Sequence, residues 1–101
     1  MPDELPIACH LADEELRTRE ATLLQQFKSA VRSREELADG YSFELLNDRK
    51  SLSLAAEVIA AERECCPFLK FHLTTEPNLG PLRLLITGPP GTKDFLNAHF
   101  L

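Results

Sequence analysis

The 101-residue chain has the size of one compact domain and no room for a second core, which excludes a multidomain enzyme. Its 44% hydrophobic and 27% charged residues exclude disorder of the whole chain. With 11 Lys+Arg against 16 Asp+Glu the net charge is −5, which repels a phosphate backbone and sets DNA and RNA aside as partners.

The opening Met1-Pro2-Asp3-Glu4-Leu5 lacks the basic and apolar regions of a secretory signal, and no apolar run approaches the ~18 residues of a membrane span. The reading is a cytoplasmic protein without a membrane partner. In a reducing compartment Cys9, Cys65 and Cys66 are expected to stay free or to hold metal rather than form a disulfide framework. Residues 1–12 are expected to form an N-terminal arm of a single domain covering 1–101.

Asp13-Glu14-Glu15 puts negative charge at the positive end of a helix dipole, and Leu16, Leu23, Leu24, Phe27, Ala30 and Val31 recur at helical spacing. A helix is predicted from about Asp13 to about Arg34. Tyr41-Ser42-Phe43-Glu44-Leu45 alternates with period two and predicts a strand with Tyr41, Phe43 and Leu45 inward. After a turn at Asn47-Asp48-Arg49-Lys50 a second helix runs from Ser51 until Pro67 stops it, carrying the cysteine pair on its last turn.

Leu69–Thr74 and Leu82–Thr87 are predicted to pair as a hairpin across Glu76-Pro77-Asn78-Leu79-Gly80-Pro81, and a short last helix carries Phe95, Leu96 and Phe100. The expected fold is α+β in the order α-β-α-β-β-α. Its small, largely antiparallel three-stranded sheet would be polar on one face, through Ser42, Glu44, Lys70, His72, Thr74 and Arg83, with the helices on the other. Leu46 and Leu85 interrupt the polar pattern and are the contact expected if the chain forms a homodimer.

Advancing about 100° per residue from Leu52 places Leu54, Ala55, Ala56, Val58, Ile59, Ala61, Cys65 and Cys66 on one apolar arc, with Ser53, Glu57 and Glu64 opposite. Glu62 falls inside that arc, one turn before the cysteines. A carboxylate on a buried face requires a hydrogen-bonding partner, a counter-charge or a metal. Two thiols and a carboxylate within one helical turn suit zinc or another thiophilic divalent ion, with Cys9 or His10 as a further ligand. The helix C-terminus favours a bound cation over a reactive thiolate.

Other readings of the same residues stay open. Free cysteine is among the most buried residue types, so the pair also reads as ordinary core in a structural or interaction module. Thiol redox or nucleophilic chemistry comes third, because no residue is placed as its base, and an enzyme is not the favoured reading. Glu20 falls within the apolar arc of the first helix and is expected to reach Arg63 as an ion pair, with a carboxyl pair to Glu62 as the alternative. Glu62 itself is offered Arg63 or Arg19 as a counter-charge. His72, on the polar side of its strand, reads as solvated.

Thr87-Gly88-Pro89-Pro90-Gly91-Thr92-Lys93 lies between a strand and a helix, where a phosphate-cradling loop would stand. Counted from Gly88, Lys93 occupies the place of the second glycine, and the residue that follows this lysine is Asp94 rather than the Ser or Thr that must hold magnesium, so no nucleotide cofactor is expected.

The block Glu62-Arg63-Glu64-Cys65-Cys66-Pro67-Phe68-Leu69-Lys70-Phe71, with Gly80-Pro81 and the segment Thr87–Leu96, resembles a group of small, mostly uncharacterised bacterial proteins. Ala8-Cys9-His10-Leu11 and Asp39-Gly40-Tyr41-Ser42-Phe43 look like the same group. Similar segments stand beside, or fused to, regulators of the mercury-resistance type, so the resemblance implies heavy-metal handling through Cys9, Glu62, Cys65 and Cys66. It brings no established activity. The expectation carried forward is a domain that binds a thiophilic metal ion through Cys65, Cys66, Glu62 and Cys9 or His10.

Overall fold

The computed structural model describes residues 14–101, so the expected N-terminal arm, Cys9 and His10 lie outside the described residues. The first helix, α1 (Glu14–Ala30), stops at Ala30 and passes directly into a strand, β1 (Val31–Glu36). This corrects the expected helix to about Arg34, the three-stranded sheet and the order α-β-α-β-β-α. Val31 is the last apolar residue of the helical stripe, and Arg32-Ser33-Arg34-Glu35-Glu36 has nothing to bury on a helix face. Pairing with β2 (Gly40–Leu45) therefore decides its backbone, with Arg34 opposite Phe43 and Glu36 opposite Tyr41. A register shift between Val31 and Ser33 turns the chain out of the helix, and the Leu46 N–H donates to the Ala30 carbonyl at 2.8 Å. A strand this charged suits a sheet edge, where it deters pairing with another chain.

The chain continues through α2 (Arg49–Cys65), β3 (Lys70–Thr75), β4 (Leu82–Thr87) and α3 (Thr92–His99), giving α-β-β-α-β-β-α. The four strands lie in the order β1-β2-β4-β3 with every neighbouring pair antiparallel. The expected β3–β4 hairpin is present, turning through Asn78 and Leu79, both at positive φ. The central strands approach so closely that a Cβ at Gly40 would lie 1.9 Å from the Ile86 carbonyl oxygen. Only glycine fits there.

Alternation sends Phe43, Leu45, Leu82, Leu84 and Ile86 to one face of the sheet, where they are buried with Phe27 of α1, Ala55 and Val58 of α2, and Leu96 of α3. Phe27 packs edge to face on Phe43 at 5.3 Å and on Phe100 at 5.9 Å. On the opposite face Lys70, His72, Thr74 and Arg83 are exposed, Glu44 and Leu85 are half-buried and Ser42 is buried. The domain is thus α+β with a four-stranded antiparallel sheet, covered by helices on one side. Among the described residues no helix is long and apolar enough to cross a membrane.

Candidate metal centre

Asp48 starts α2 by accepting the Ser51 N–H at 2.7 Å. From that anchor the buried positions run Ser51, Ala55, Val58, Glu62 and Cys65, a helical stripe that faces α1 and the sheet. The expected arc is narrower than its residue count and rotated toward Ser51, since Leu52 and Ala56 are exposed. Glu62 lies within it as expected, 1% exposed.

Pro67 ends the helix, because the residue before a proline is pushed toward extended geometry. Cys66 accordingly becomes the C-cap at φ −126° and ψ 75°, while its N–H still donates to the Glu62 carbonyl at 2.6 Å. Its thiol is thereby held beside the Glu62 side chain, to which it donates at 3.5 Å, and lies 3.4 Å from the Cys65 sulfur. The following turn is pinned by Phe68, whose ring packs edge to face on Phe95 of α3 at 5.1 Å.

The fourth donor comes from α1. Glu20, Leu24 and Phe27 follow i, i+4, i+7 spacing, and the early part of α1 lies against the last turns of α2. One donor atom from each of Glu20, Glu62, Cys65 and Cys66 can be chosen such that all lie within 4.8 Å of one another. A tetrahedral zinc with bonds of 2.0–2.3 Å needs donors roughly 3.3–3.8 Å apart, so the Cys65–Cys66 and Cys66–Glu62 separations of 3.4 and 3.5 Å already match.

The electrostatics are those of a site short of positive charge. Burial pushes the Glu62 carboxyl up to about 9, helped by its hydrogen bond to Glu20 and the Glu20 charge, with Cys66 acting weakly in the opposite direction. Glu62 is therefore protonated at neutral pH. Its Oε2 is buried with no hydrogen-bond partner among the described residues, while Oε1 accepts from the Cys66 thiol. Burial, then the Glu62 charge and hydrogen bond, also push the Cys66 thiol up, which makes it a poor nucleophile.

Two expectations are corrected. Arg63 is exposed, Arg19 is exposed, and among the described residues neither forms a salt bridge with Glu20 or Glu62. A helical count places Arg63 at the margin of the stripe, where its long side chain gains hydration by turning outward. Glu20 meets Glu62 instead, the carboxyl pair given above as the alternative. The second correction concerns the thiols: Cys65 is disulfide-bonded, and Cys66 is a free thiol.

A cleft of about 380 Å³ between α1 and α2 is lined by Glu20, Glu57 and Glu64 together with Arg19, and gives the cluster an acidic approach from solvent. His72 is exposed on the far side of the sheet and takes no part. The Gly88–Lys93 loop supplies no donor to the cluster, and Lys93 is engaged by the Glu36 carboxylate. Comparison with family models, with curated proteins and with solved structures finds no match to this chain.

Proposed function

We propose that the domain binds one thiophilic divalent cation, such as zinc or cadmium, at the α1–α2 cluster when its cysteines are reduced. Cys65 and Cys66 supply thiolates, Glu62 is the third ligand, and Glu20 completes the set or accepts a hydrogen bond at its edge. The observation that supports this is the convergence of four donors around a buried carboxyl that, among the described residues, forms no salt bridge. In the metal-free protein, protons on Glu62 and Cys66 stand in for the missing positive charge. A cation would displace them and remove the repulsion between the two carboxyl groups. The negative end of α2 adds to the attraction. This reading agrees with a role in heavy-metal handling.

Elemental analysis of reduced protein purified without added metal tests it. About one equivalent of zinc or a softer ion per chain is expected, falling to background in Cys66→Ser. A structural module is the second reading, favoured by the complete burial of Cys65 and Cys66 in the core. It predicts no metal in either protein.

A further inference from the structure

The two sulfurs of the cluster are 3.4 Å apart yet differ in state, since Cys65 is disulfide-bonded and Cys66 is a free thiol. Metal ligation uses thiolates, and a disulfide sulfur has neither the negative charge nor the displaceable proton. We propose that the redox state of Cys65 gates ion binding at the Glu20, Glu62, Cys65 and Cys66 cluster, which is closed while Cys65 is in a disulfide and open once it is a thiol. The proposal rests on the metal reading above and adds its regulation.

With Cys65 withdrawn, the remaining donors are one sulfur and two carboxyl groups, a harder set that discriminates poorly for a thiophilic ion. Opening requires a reductant of the small-thiol class. Two such thiols give two electrons and two protons to the disulfide, the S–S bond at Cys65 breaks, and each released sulfur becomes a thiol. The two small thiols leave joined as their own disulfide. The incoming ion then exchanges the Cys65 and Cys66 thiol protons for metal–sulfur bonds, and the protons pass to solvent.

Cys66 does not short-circuit the gate, although it touches Cys65. The sulfur of Cys66 is fully buried at the C-cap of α2 and remains a free thiol while its neighbour is disulfide-bonded. A bond between adjacent cysteines would also close a small strained ring at the end of α2. The coupling is reciprocal: ion at about a hundred times its dissociation constant favours the reduced form by roughly a hundredfold, which raises the midpoint potential by about 60 mV.

Cadmium titrated into the full chain, once after phosphine reduction and once after oxidation with a small-molecule disulfide, tests the gate. Calorimetry reads affinity, thiolate-to-cadmium absorption reads sulfur ligation, and far-UV circular dichroism checks the fold. Losing an outer partner of a metal ligand already costs ~10–100-fold, so the oxidised protein is expected to bind more than about a hundredfold more weakly. The absorption band should appear only in the reduced protein, and Cys65→Ser should bind weakly under both conditions. Equal affinity of the reduced and oxidised wild type overturns the gate and leaves the metal reading standing. Absence of binding in both states overturns the metal reading and the gate with it.

Discussion

Glu20 of α1 and Glu62 of α2 bring two carboxyl groups together at a buried position, with no basic side chain among the described residues bridging them. Burial penalises the charge on Glu62 and Glu20 repels it, so the pair survives in the metal-free protein by keeping a proton. Such an arrangement weakens the fold under conditions that remove the proton, and the proposed cation would reverse the penalty.

The metal-free protein should therefore lose stability as pH rises. Glu62 has a higher pKa folded, at about 9, than its ordinary 4.5, so the native state holds more protons between these values and stability falls across that window. Thermal melts from pH 5 to pH 9 should show Tm dropping by about 10 °C or more, at ~4–8 °C per kcal/mol for a domain of this size. Glu62→Gln, which keeps the shape and discards the ionisation, should flatten the profile. A Glu62→Gln variant that retains the wild-type slope would assign the effect elsewhere.

Much of this pair was legible before any coordinates. Glu62 and Glu20 both fall on apolar stripes by helical rotation alone, because a stripe interrupted by one carboxylate is a local pattern. Their mutual contact was not legible, since which side chains meet across two helices depends on helix phase and crossing, and an arginine at the stripe margin looked the better partner. Strand β1 was missed for a related reason: Arg32–Glu36 has no apolar alternation, and its conformation is decided by pairing with β2. The state of Cys65 is not legible in the sequence, because nothing in the spacing of the cysteines specifies it.

Gly40→Ala should be strongly destabilising. The new methyl would sit 1.9 Å from the Ile86 carbonyl oxygen, so the central β2–β4 pair would have to separate. A loss of about 2 kcal/mol or more is expected from denaturant melts, against ~0.5 kcal/mol for an ordinary surface change. A near-neutral variant would mean that the two strands can part without cost.

If the chain self-associates, the open sheet face is the expected contact through Leu85, half-buried amid polar neighbours there, whereas Leu46, expected beside it, lines a cleft with Gln26 and Ser29 of α1 and Leu54 of α2 because its N–H is tied to the Ala30 carbonyl. Leu85→Lys should shift a dimer toward monomer in light scattering while leaving the melting transition cooperative. A dimer unchanged by the substitution would place its interface elsewhere.

The central claim is that a divalent thiophilic ion stabilises this domain through Cys65, Cys66 and the Glu62–Glu20 pair. The direct measurement is the Tm of reduced protein at pH 7.5 with zinc and with a chelator. Free zinc at about a hundred times its dissociation constant contributes roughly 2.7 kcal/mol, so Tm should rise by more than about 10 °C. The rise should shrink at lower pH as the ligands hold their protons more firmly, and it should vanish in Cys66→Ser. Equal melting temperatures with zinc and with chelator would contradict the account.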